Sequence, residues 1–446
     1  MRLSITALLL VAVPLTSWSQ TATPKTTKVV YNELGISSTP QNAAVSMELY
    51  ARFQHKIAAT KSTNDHFDRS INSPKSVNYL AAKGKFYVQS LEGHETVVYD
   101  LASLKKIKVI PHDFTTTNQS LFKDGEYSAF DYKFQYRSSS FNIFKGKPVE
   151  STFSHNGKYL WVTYYRRSYD ANAQNPSAVA IIDTDTDEIV RVMPSGALPK
   201  MIATSPDNRF VAVTHWGDNT VAIIDITGSN PFEFKYLHHL TVEKRLSLDY
   251  APGEKIDRDA QCGYCLRGTV FTPDSKYLLI GRMGGGGIAV FDVENQYKYL
   301  GVTYTQYSNI RHLVISGDYL LVSTNSNGYI QKIKWRDFVQ HRIDNETTST
   351  KLIEGWQNCY VGSGVRTISV STDGKYVFAC VNSSSKIVAV DAETMKVVSE
   401  IPADSFPVGM EITDSNDFLF VTAQGKDNAG GGHSVMIYKI TYSNVD

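Results

Sequence analysis

The sequence predicts an all-β protein: a single seven-bladed β-propeller of four-stranded antiparallel blades, closed by an N-terminal strand. Three observations predict it. One strand–turn–strand unit recurs seven times, its tightest copies are one blade apart, and the last copy is a strand short while an unused strand-like segment precedes the first.

The unit has an inner strand, a polar turn, a second strand, and a third strand ending in Asp. Turn and second strand read Ser154-His-Asn-Gly-Lys-Tyr-Leu-Trp-Val-Thr163, then Ser205-Pro-Asp-Asn-Arg-Phe-Val-Ala-Val-Thr214. They return as Thr272-Pro-Asp-Ser-Lys-Tyr-Leu-Leu-Ile-Gly281 and Ser371-Thr-Asp-Gly-Lys-Tyr-Val-Phe-Ala-Cys380, with variants at 83–86, 316–319 and 414–418. Third strands end at Asp100, Asp183, Asp225, Asp292 and Asp391. Gly, Asn and Asp in the turn accept the positive φ of a tight hairpin, and the closing Asp can bond the backbone of the next turn. Tyr277 to Tyr319 and Tyr376 to Phe418 are each 42 residues apart, against about 40–45 for a four-stranded blade.

The first residues read as an export signal: Arg2, an apolar run over 3–15, and Ser17-Trp18-Ser19 as a small-residue cleavage site near Ser19. The expected organisation is a signal at 1–19, an N-terminal segment at 20–74 that includes the ring-closing strand, and the propeller at 75–446. Two segments can close the ring, 27–31 and 47–53; the first is preferred. The chain has 45 Lys and Arg against 44 Asp and Glu, which leaves no overall field for nucleic acid or anionic membrane. No run reaches the ~20 apolar residues of a spanning helix, so no membrane insertion is expected. The expected product is a secreted or periplasmic monomer.

The second-strand endings Val162-Thr-Tyr-Tyr165, Val322-Ser-Thr-Asn325 and Val421-Thr-Ala-Gln424 resemble the Tyr-Val-Thr-Asn repeats of the YVTN, or YncE-like, propellers. Leu198-Pro-Lys-Met-Ile-Ala-Thr-Ser-Pro-Asp-Asn-Arg209 is especially close. The resemblance spans most of 75–442 and implies the propeller fold. Its relatives include surface-layer and ligand-binding proteins. The motif's Asn is replaced by His215 and Arg282 in the third and fourth units.

Long insertions at 111–147, 240–266, 354–364 and 425–432 share one predicted face with the second-strand ends, so a pocket at the axial mouth is the expected site. Aligned inner strands put Lys200, Arg267, Arg311 and Arg366 at one position in four consecutive units, with Val149 and Val408 there in units two and seven. Converging cations repel unless an anion lies among them, and Arg offers forked hydrogen bonds to carboxylate, phosphate or sulfate. The bland reading is neutralisation by Asp257, Asp259 and Glu354. The same rim is expected to carry Tyr164, His215, Trp216 and Arg282, with His312 beside Arg311; aromatic and polar groups together suit a sugar, planar cofactor or peptide.

Cys262, Cys265, Cys359 and Cys380 are expected as disulfides in an exported chain, first as Cys262–Cys265 and Cys359–Cys380. Cys-x-x-Cys is half a zinc site without its other half, and Leu266 stands where covalent haem needs His. No metal or cofactor is expected. Asp183-Thr-Asp-Thr-Asp187 lacks the later Gly and Glu of a calcium loop and reads as a turn.

The function read from these features is non-catalytic capture of an anionic small molecule or glycan, or of another envelope protein. The alternative is an enzyme acting on acidic polysaccharide, a uronate lyase or hydrolase, with His215, Tyr164 and Arg267 as acid–base and charge-neutralising groups.

Overall fold

The computed structural model describes residues 32–41, 43–55, 62–126, 130, 141–345, 352–425 and 432–443. Seven antiparallel sheets follow one another along the chain, and each interface between neighbouring sheets has its own apolar cluster. Blades one to six run over 74–111, 144–194, 199–241, 266–303, 310–360 and 365–402. Blade seven takes Pro407–Ile412, Phe418–Ala423 and Ser434–Tyr442 from the C-terminal end and Val45–Gln54 from the N-terminal end.

Packing on both sides explains the sequence of the middle strands. Thr220–Asp225 has five fully buried residues in a row, alternately facing blade two and blade four. Turn chemistry follows expectation. The turn residue one or two places before the second strand has φ of 60° at Gly84, 86° at Gly157, 59° at Asn208 and Ser275, 54° at Gly317, 73° at Gly374 and 63° at Asn416. All five strand-closing aspartates accept a backbone N–H two or three residues on, from Ser103, Asp185, Thr227, Asn295 and Thr394.

The ring closes through Val45–Gln54, which pairs antiparallel with Ser434–Tyr442 from Val45↔Tyr442 to Gln54↔Ser434. This strand contains the second of the two expected segments; the preferred one, 27–31, lies outside the described residues, as does the signal at 1–19. Arg52, 1% exposed, ties the closure: its guanidinium reaches Asp65 at 2.5 Å and Asp404, between blades six and seven, at 3.2 Å. The one α-helix among the described residues, Trp335–Asp344, was not legible as one; it packs Trp335, Phe338 and Val339 over blades four and five. Among the described residues, no helix is long and apolar enough to cross a membrane.

Cys262 and Cys265 form a disulfide. The expected Cys359–Cys380 bridge is absent: both are buried free thiols. Cys359 packs between blades five and six and Cys380 between blades six and seven, so the body of blade six separates them.

Candidate functional site at the axial mouth

Every inner strand breaks its pairing register near its start. The irregularities fall at Pro74/Val77, Pro148/Ser151, Pro199/Met201, Leu266/Thr269, Ile310/His312, Val365/Ile368 and Pro407/Gly409. A bulge leaves its extra residue unpaired and re-aims the side chain. Lys75, Val149, Lys200, Arg267, Arg311, Arg366 and Val408 occupy that place in blades one to seven. The four basic residues expected there are joined by Lys75, which lines the same cavity. The repeated Pro-Lys pair, Pro74-Lys75 and Pro199-Lys200, was the signal for it.

The cavity measures about 400 Å³, and the five cations of the bulge position line it with Glu92, Tyr165, Arg166, Trp216, Asp259 and Gln424. Lys200 is the best compensated. Its ammonium pairs with Asp259 and lies 3.8 Å from the Trp216 ring centroid. Trp216 in turn donates its indole N–H to the Asp259 carbonyl at 3.0 Å. Burial still pulls Lys200 down to about 7, outweighing Asp259. Asp259 is held by its loop: its N–H bonds Asp257 Oδ1 at 2.9 Å, and Arg258 bonds Tyr250 Oη at 2.9 Å. The Cys262–Cys265 bridge closes the same loop.

Arg267 donates to the Lys200 carbonyl at 2.9 Å and pairs with Glu150, reaching from blade four to blade two across the axis. The other three cations have no carboxylate in ion-pair contact among the described residues; Glu150 acts on all three, and Asp259 on Arg311, only from a distance. Lys75 donates to Gln424 Oε1 at 3.3 Å. Arg311 donates to the Met283 sulfur at 3.1 Å. Arg366 lies 5.2 Å from the Phe406 ring, and its buried Nε finds no acceptor. Burial, then mutual repulsion, holds Lys75 and Arg311 well below their ordinary values and brings Arg366 down to about 10. Of the acids expected to neutralise the ring, only Asp259 does so; Glu150, adjacent to the valine of blade two, was missed.

Other expected site residues lie elsewhere. Tyr164 is fully buried, donating to or accepting from His112 Nδ1 at 2.7 Å, and is part of the interface between blades one and two. His215 is also fully buried. Its Nε2 accepts from the Gly196 N–H at 3.0 Å, so Nδ1 carries the proton and faces Thr220 Oγ1 at 2.8 Å; Thr220 donates to Asp218 at 2.7 Å. His215, Asp218 and His239 approach closely enough to share an ion, but both His215 nitrogens are already bonded internally. Arg282 pairs with Glu243 at 2.5 Å and covers Tyr264. His312 sits one layer below Arg311, in a separate cavity further down the axis. The trio His215, Tyr164 and Arg267 is therefore not gathered in one pocket. The Asp183–Asp187 turn is used up structurally: Asp185 pairs with Lys83 at 2.7 Å, and Asp187 with Lys85 at 2.6 Å.

A family model described as lactonase, 7-bladed β-propeller matches residues 145–431. The chain belongs to that family. Its match covers blades two to six and two of the four strands of blade seven; blade one lies outside it. No curated protein sequence is similar enough to match. Among solved structures, this lactonase-family propeller is similar to Kuenenia stuttgartiensis hydrazine synthase, with TM-score 0.56 and 13% identity over 87% of this chain and 100% of that one. It is also similar to the β-propeller domain of Myceliophteria thermophila Cps50 (Swd1), with TM-score 0.55 and 14% identity over 83% of this chain and 97% of that one. At such identities these likenesses speak for the fold alone.

Proposed function

We propose that this chain is an exported, YVTN-type binding member of the lactonase propeller family, which captures an anionic small molecule, or the acidic end of a glycan, in the axial-mouth cavity. One observation carries the reading: Lys75, Arg311 and Arg366 converge, desolvated, with no carboxylate of the described residues in ion-pair contact, and the more distant pull of Glu150 and Asp259 is outweighed by burial and mutual repulsion. Buried charge of one sign is costly unless an opposite charge joins it. An anion supplies that charge, and Arg311 and Arg366 supply directed donors to it.

The family name denotes cyclic-ester hydrolysis, whose product is a carboxylate that the same ring would hold. Lys200, brought to about 7, is the group in the cavity suited to exchange a proton near neutral pH, which favours lactone hydrolysis as the second reading.

Calorimetric titration with glucuronate, citrate, inorganic phosphate and oligogalacturonate tests the first reading. At least one should bind, and Arg311→Ala and Arg366→Ala should each weaken it by about tenfold or more. Binding unchanged in both variants removes the cation ring as the site. Release of acid from a sugar-acid lactone, lost in Lys200→Met, would move the assignment to the hydrolase reading. Export is tested by the mass of the mature N-terminus.

A further inference from the structure

The axial channel has a second chamber, and its chemistry is the reverse of the first. Residues one place after the bulge position, among them Ser76, Glu150, His312 and Thr367, line a cavity of about 460 Å³ directly beneath the cation ring. The Arg267–Glu150 pair is the shared wall, because Arg267 lines the upper chamber and Glu150 the lower. No Lys or Arg lines the lower chamber, whereas Glu150, Glu411 and Asp414 all do.

Glu411 sets its character. It lies on the inner strand Pro407–Ile412, three residues below Val408, hence roughly 10 Å down the axis from the cation ring. Glu150 is already paired with Arg267, but the Glu411 carboxyl has neither an ion pair nor a hydrogen bond among the described residues. Burial, with Asp414 adding repulsion, raises it to about 8. Glu411 also lines a 400 Å³ recess beside Ser154, Asn156 and Asn208, which gives the chamber an opening on the face opposite the mouth. Hydroxyls of Ser76, Thr367 and Ser369 ring the chamber. His312 faces it too, held neutral because burial, then Arg267 and Arg311, bring it down to about 4.

We propose that this lower chamber is a second binding site, which takes a small hydroxylated organic cation, a primary amine on a polyol frame, with Glu411 as its counter-charge. Volume and spacing favour an organic ligand over a bare metal ion. The chamber has room for about fifteen waters at roughly 30 Å³ each. Among the described residues, no three of its carboxylates and His312 come close enough to share an ion.

The test is titration of the full chain with glucamine and, as its uncharged counterpart, sorbitol. Glucamine should bind saturably and sorbitol about tenfold more weakly or not at all. Glu411→Gln, close in shape, should weaken glucamine by about tenfold, while Arg366→Ala, in the upper chamber, should leave it within about twofold. Because the bound amine needs the Glu411 carboxylate, affinity should rise from pH 6.5 to 8.5 with proton release, a trend that Glu411→Gln abolishes. Equal binding of sorbitol, no binding of glucamine at millimolar concentration, or binding indifferent to Glu411→Gln overturns the proposal. Loss of binding in Arg366→Ala alone would move the ligand to the upper chamber and also overturn it.

Discussion

At the level of single residues, the site is built from unsatisfied charge. Arg366 has a buried Nε without an acceptor, and burial, with Arg267 adding repulsion, lowers it to about 10. Removing it relieves repulsion, so Arg366→Ala should leave the unliganded protein as stable as before or more so, by about 0–2 kcal/mol, while ligand affinity falls. Glu150→Ala should do the opposite, costing about 3–5 kcal/mol because Arg267 is left buried without its partner. Urea denaturation of both variants checks the contrast. Buried histidines make a second statement. Burial, with neighbouring positive charge, takes His112 to about 3, His312 to about 4, and His215 well below its ordinary range. The unfolded chain binds a proton at each below pH 6.5 and the native chain does not, so stability is full above pH 6.5 and is lost as pH falls from there toward the native values. The expected slope is about 1.4 kcal/mol per pH unit for each histidine, measurable by urea denaturation from pH 7 to 5 and reduced in His112→Gln.

Among the elements, two features decide function and closure: the inner-strand bulge and the shared seventh blade. The bulge lifts one residue per blade out of the ladder into the mouth, and the residue after it faces the lower chamber. Gly409 shows how tight that second layer is, since a Cβ there would lie 2.2 Å from the Lys75 carbonyl. The closing strand depends on Arg52, whose two buried acids come from different parts of the chain. Arg52→Ala should cost about 3–5 kcal/mol. Hydrogen exchange should then show the amides of 45–54 and 434–442 losing protection before those of blades two to five. Uniform loss over all blades would mean that Arg52 stabilises the ring as a whole rather than its seam.

For the whole molecule, seven interfaces of like composition hold the blades in a ring whose axis is polar along its length, basic at the mouth and acidic below. Much of this was legible in the chain. Repeated turns, strand-closing aspartates and the aligned Lys200, Arg267, Arg311 and Arg366 are local patterns, and local patterns repeat because each blade solves the same packing problem. Lys75 carried the same signal at the same place. His215 and Tyr164 misled because a second-strand end can turn inward to bond its own blade as readily as outward to the rim, and sequence position is the same in both cases. Cys359 and Cys380 misled because nearness in blade order does not say which face of a sheet a side chain takes.

Blade number, hairpin geometry and the cationic position are consequences of short-range preference multiplied by repetition, so the linear chain carries them. Convergence is another matter. Only folding brings Glu150 of blade two to Arg267 of blade four, joins Arg52 to Asp404 across 352 residues, and leaves Glu411 without an ion-pair partner among the described residues in the lower chamber. Those outcomes depend on distances between segments far apart in the chain, and the closed ring is what sets those distances.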